Sequence, residues 1–124
     1  MKKIVFKGSV QVVDTSGTQP KTVANERVEL EFTDIAEYSV REITIPQGAV
    51  DFNIEFGNVS NVIFAWLNSS VEISVTSNVQ GTPDPPIGKH FAFTGSQAKF
   101  IENLQADNPN PVDAKVFIII GGVT

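Results

Sequence analysis

Between Val50 and Val75 three runs carry apolar side chains at every second position, and that spacing admits little other than β-strands. In the first run Val50, Phe52, Ile54 and Phe56 alternate with Asp51, Asn53 and Glu55, so one face enters a core while the other stays in water. Val71, Ile73 and Val75 repeat the pattern against Glu72, Ser74 and Thr76. Between them, the run from Val62 to Leu67 is apolar on both faces, which is the mark of a strand covered on both sides or of one at a subunit contact. Short polar links at 57–61 and at Asn68-Ser69-Ser70 predict three antiparallel neighbours.

The rest of the chain repeats this grammar. Ile4, Phe6, Val10 and Val12 predict a long N-terminal strand, broken by a bulge at Gly8 or divided there into two. A loop over 14–20 separates it from a half-exposed strand carrying Val28, Leu30 and Phe32. Asp34 ahead of Glu37 has the look of a capping box and would allow one helical turn over 33–38. In the strand over 40–45 the apolar parity changes between Val40 and Ile43, which predicts a bulge near Arg41 or Glu42. Pro46-Gln47-Gly48 is read as a type I turn with Pro at its second position. Proline-rich loops are expected over 78–88 and 107–111, with a short strand carrying Phe91 and Phe93 after the first. The segment 98–104 fits a strand or a helical turn, and the strand over 114–121 closes the chain. Gly121-Gly122 reads as its flexible end.

Eight or nine strands in 124 residues, with no long helix, predict an all-β protein. The expected architecture is an antiparallel β-sandwich, a jelly roll by strand number, in one domain spanning 1–124. The N-terminal strand belongs early in one sheet and the closing strand at the centre.

The absence of cysteine excludes disulfides and thiolate metal sites. With a net charge of −5 and scattered Lys and Arg, no nucleic-acid footprint is present. No apolar run approaches the roughly 20 residues that span a bilayer, so no membrane partner is expected. The start Met1-Lys2-Lys3 is basic, but its apolar run ends at Lys7, too soon for a signal peptide.

No catalytic residue emerges. His90 is the only histidine, and it alternates with Phe91 and Phe93 toward solvent with nothing in the spacing to mark a nucleophile beside it. Asp107, Asn108, Asn110 and Asp113 gather oxygens as a calcium ion requires, yet the interleaved prolines already account for a rigid turn and the alternation of a calcium loop is missing. No metal and no cofactor are therefore assigned. Trp66 would suit a sugar-stacking platform only if exposed beside polar residues; its apolar run favours packing instead. Strands apolar on both faces exceed what one sandwich core buries, so Ile63, Phe64 and Trp66 are the candidate interface residues.

The second half of the chain resembles small virion proteins of tailed bacteriophages. The likeness lies in the strand 71–75, the loop through Pro86-Ile87, Phe91-Ala-Phe93-Thr-Gly95, Phe100-Ile101 with the 103–110 loop, and the closing 113–120. It covers about residues 60–124 and is one of pattern. It implies a jelly roll, no catalytic residues, and a place in the virion after synthesis in the host cytoplasm. Such proteins decorate or cement capsids, commonly as homotrimers on the major capsid protein, or belong to tails and head fibres. The competing expectation is a carbohydrate-binding or adhesin-like β-sandwich, which an exposed Trp66 beside acids would mark.

Overall fold

The computed structural model describes residues 2–79 and 87–124, and the chain divides into two compact units, Met1–Asp34 and Ile35–Thr124. The protein is all-β and antiparallel, as the period of two predicts, with 68% of it in strands.

The first unit is a ribbon of two strands, β1 (Lys2–Asp14) and β2 (Lys21–Ile35), paired only with each other. The N-terminal strand thus lies outside the larger sheet. At the turn, Ser16 donates from its backbone N–H (2.9 Å) and its hydroxyl (2.6 Å) to Asp14 Oδ1. These two bonds, the hydroxyl's first, hold the exposed Asp14 carboxyl below its usual range.

The second unit is one six-stranded sheet curled into a half-barrel, with β3 (Glu37–Ile45), β4 (Phe52–Asn53), β5 (Val62–Ser77), β6 (Ile87–Thr94), β7 (Leu104–Asp107) and β8 (Ala114–Gly122). The order is β3-β8-β5-β7-β4, with β6 also paired to β5. The closing strand is central, as expected.

At the middle stands β5, 16 residues long, where the sequence predicts two strands joined by a tight turn. Asn68-Ser69-Ser70 makes a bulge instead, and the register against β6 shifts between Asn68 and Ile73. Side chains permit this without a turn. Ser69 Oγ donates to Val71 O (2.7 Å), and Ser70 Oγ accepts from Lys115 N (3.0 Å), so backbone groups disturbed by the bulge keep partners. Before the bulge β5 pairs with β8; beyond it, residues 74–77 pair with β7. This exchange of partners curls the sheet.

One buried cluster fills the concave side, with Ala65, Leu67, Ile73 and Val75 from β5 and Ala114, Val116, Ile118 and Ile120 from β8. Phe91 and Phe93 close it from β6, their rings stacked at 6.4 Å. Facing along 52–56 follows the predicted alternation, Ile54 being buried and Phe52 and Phe56 half-buried, but Val50, expected on the same inward face, is 74% exposed, and the ladder there spans only two residues.

Three local expectations are corrected. Residues 33–38 form no helical turn, because β2 runs to Ile35, Asp34 takes a left-handed φ of 58°, and β3 begins at Glu37. β3 has no bulge: its register with β8 is continuous over 37–45, and the parity change is met by turning Val40 outward and Arg41 inward. The turn after β3 has Pro46 first, not second; Ala49 N bonds Pro46 O at 3.1 Å, and Gly48 takes a φ of 71° at the third position, as a type II turn demands. The proline-rich loop expected over 78–88 lies outside the described residues from 80 to 86, and β6 already begins at Ile87.

Candidate functional surface

Strand registers set one apolar row across the convex face of the curled sheet. Val40 of β3 pairs with Ile119 of β8, Ile119 with Trp66 of β5, and Trp66 with Ala92 of β6. Alternation fixes the side on which they stand, since Ala65, Leu67, Ile118 and Ile120 are in the concave core. The row below is Glu42, Phe117, Asn68 and His90; the row above is Tyr38, Gly121, Phe64 and Thr94. Trp66 and Phe117 meet edge to face, centroids 6.1 Å apart at 75°. Val40 is 51% exposed, Tyr38 54% and Phe117 38%, so a contiguous apolar strip reaches water. Lys115 Nζ, donating to Thr44 Oγ1 at 2.9 Å, puts a polar margin at its lower end.

Of the candidate interface residues, Trp66 lies in this strip and is half-buried, whereas Phe64 is buried within the chain itself. Ile63 is half-buried at the irregularity between Val62 and Phe64, and its carbonyl accepts from Gly95 N at 2.8 Å. The sequence missed Val40 and Phe117. Their signal was the mismatch of parity in β3 and the unbroken apolar run in β8. Trp66 is half-buried and has Ile119 and Ala92 beside it in register.

His90 faces solvent, as alternation predicts. All four oxygen-bearing residues of the 107–113 loop bond backbone groups of other segments, the two asparagines through their amide nitrogens. Asn108 Nδ2 donates to the carbonyls of Ile45, Pro46 and Val112, Asp107 Oδ1 accepts from Asp51 N (2.7 Å), and Asp113 Oδ1 accepts from Gln47 N (3.0 Å). Asn110 Nδ2 bonds Glu72 O. The loop is a clamp on the segment that follows β3. Among the described residues no three His, Cys, Asp or Glu side chains are grouped to hold a metal ion.

The chain matches no protein-family model, no curated protein and no solved structure.

One polar group is at odds with its surroundings. Arg41 turns inward beside Ile43, Phe52, Asn53 and Glu55, which line a depression of about 410 Å³, and its buried Nε has no hydrogen-bond partner. An orphaned buried donor costs about 1–3 kcal/mol, while the aliphatic stem still packs. Arg41→Met keeps the stem and removes the donor. It is expected to raise stability by about 1 kcal/mol, read as a higher urea midpoint at unchanged slope; a lower midpoint would show that the guanidinium stabilises the fold.

Proposed function

We propose that this chain is a non-enzymatic structural protein of a bacteriophage virion, a decoration subunit that self-associates and binds the capsid lattice. The observation that carries it is the apolar strip of Val40, Ile119, Trp66 and Ala92, flanked by Phe117, on an ordered sheet. A face on a preformed sheet loses little conformational entropy on docking, and its apolar centre with a polar margin has the anatomy of a protein contact. The pattern resemblance over 60–124 supplies the virion setting and the jelly-roll relationship. In this reading the subunit works mechanically. Contact area buried between the protein and neighbouring shell subunits raises the free energy needed to part them.

The test is peptide mass spectrometry on gradient-purified particles from the source culture, with tailless heads separated from whole particles. The chain is expected in both, at a fixed ratio to the major capsid protein. Absence from particles would sink the virion reading, and presence only in tails would move the subunit there. Val40→Lys, at a position half open to water, is expected to keep the folded signal and reduce the amount bound to particles by at least about tenfold, since a charge at an apolar contact centre costs about 1.4 kcal/mol or more.

A further inference from the structure

The β1–β2 ribbon is a separate compact unit with an apolar face. Lys3 Nζ and Glu31 Oε1 form an ion pair at 3.0 Å, which puts these two side chains on one side of the ribbon. Alternation then places Ile4 and Phe6 of β1, with Val28, Leu30 and Phe32 of β2, on the other. Leu30 is 44% exposed on that face and Val12 54% exposed nearer the turn, while Val5, Val13 and Val23 fall by parity on the side of Lys3 and Glu31. Two strands form a single layer, and a lone hairpin is marginal in water.

Charge distinguishes what can cover that face. β1 holds three lysines, Lys2, Lys3 and Lys7, against one acid, Asp14. β2 holds Glu26, Glu29, Glu31 and Asp34 against Lys21 and Arg27. The ribbon therefore has one basic strand and one acidic strand, each with an outer edge. Setting the β1 edge of one ribbon beside the β2 edge of another brings lysine to glutamate, whereas like edges bring like charges together. The charge totals point the same way. Residues 1–34 carry five basic and five acidic side chains, while 35–124 carry four basic and nine acidic. Ribbon-to-ribbon assembly joins neutral units and leaves the acidic ones apart.

We infer that the ribbon is an oligomerisation element, its apolar face covered by the ribbons of further copies of this chain, joined β1 to β2 in a closed ring. Such head-to-tail contacts form a ring where the rotation from copy to copy completes a full turn. Three or four copies bring six or eight strands together, and about eight is the size at which inward side chains just fill the interior. This inference gives the self-association in the proposed function a place but does not rest on the virion setting: a ribbon-held oligomer absent from particles would leave it intact, and a particle-bound monomer would refute it, and self-association with it, while leaving the virion setting.

The test is light scattering on the full chain over a dilution series. The expected mass is three or four times 13.4 kDa, held on dilution. Leu30→Lys should bring it to one chain while the emission of Trp66, the only tryptophan and in the other unit, stays unchanged. Glu29→Lys with Glu31→Lys should also dissociate the ring, and adding Lys3→Glu with Lys7→Glu should restore its mass, because the exchanged edges complement again. A monomeric or dimeric wild type overturns the proposal, as does a Leu30→Lys variant that keeps the wild-type mass or a fourfold exchange that stays dissociated.

Discussion

Asn108→Ala is expected to cost about 3–5 kcal/mol, a large share of what a domain of this size has to lose. The side chain is fully buried, and its amide donates to three carbonyls from two segments: Ile45 O at 3.1 Å, Pro46 O at 3.2 Å and Val112 O at 3.0 Å. Its Oδ1 accepts from Asn110 N and Asn110 Nδ2. Alanine leaves these groups without partners in a space closed to bulk water, and each orphan costs about 1–3 kcal/mol before relaxation. Asn108→Asp, which has the same shape, should be worse than alanine, because it turns carboxylate oxygens toward three carbonyl oxygens. Asn110→Ala is the internal comparison. Its amide is only half-buried and should cost about 1 kcal/mol. Urea unfolding followed by Trp66 emission measures all three. An Asn108→Ala midpoint within about 1 kcal/mol of wild type would mean that the clamp is ornamental.

The same loop shows where sequence reading stops. Asn-Pro-Asn-Pro was legible as a rigid turn, since proline fixes φ and removes donors. That Asn108 reaches back 63 residues to Ile45 was not, because no local pattern encodes which carbonyls will lack partners after the sheet has curled. Strand identity was legible for the same reason that facing was. Period-two alternation at 52–56 and 71–75 follows directly from which side of a sheet is wet. Connectivity was not. Asn68-Ser69-Ser70 has the composition of a turn, and only the partners of Ser69 and Ser70 make it a bulge in one long strand. At the convex face, Trp66 was legible as a packing residue, but Val40 was read as an inward side chain displaced by a bulge. The chain takes the other solution, exposing a valine and half-burying Arg41 with an orphaned Nε. The valine exposed at that cost is the local conflict on which the proposed contact face rests.

Gly122→Ala is expected to cost more than about 3 kcal/mol or to abolish soluble folded protein. Gly121-Gly122 looks in sequence like a flexible end, yet both residues are buried in β8, where Gly122 pairs with Glu37 on one side and Val62 on the other. Its carbonyl accepts from Ala36 N at 2.9 Å. Gly122 is required for space: a Cβ there would lie far inside contact distance of the Ser60 carbonyl oxygen, with Val59 Cγ1 at 2.8 Å and Asn61 O at 3.2 Å. Backbone oxygens cannot rotate away as a side chain can, so the 59–61 segment must move. That movement would strip Glu37 Oε2 of its bonds from Ser60 N (2.8 Å) and Ser60 Oγ (3.2 Å) and loosen β3, the strand that contributes Tyr38 and Val40 to the convex face. The prediction is read as a lowered urea midpoint. Gly88→Ala, where an added Cβ meets nothing within 4 Å, is the control and should stay within about 0.5 kcal/mol of wild type. Equal, small effects at the two positions would show that the 59–61 segment yields, and that β8 ends less tightly than its packing implies.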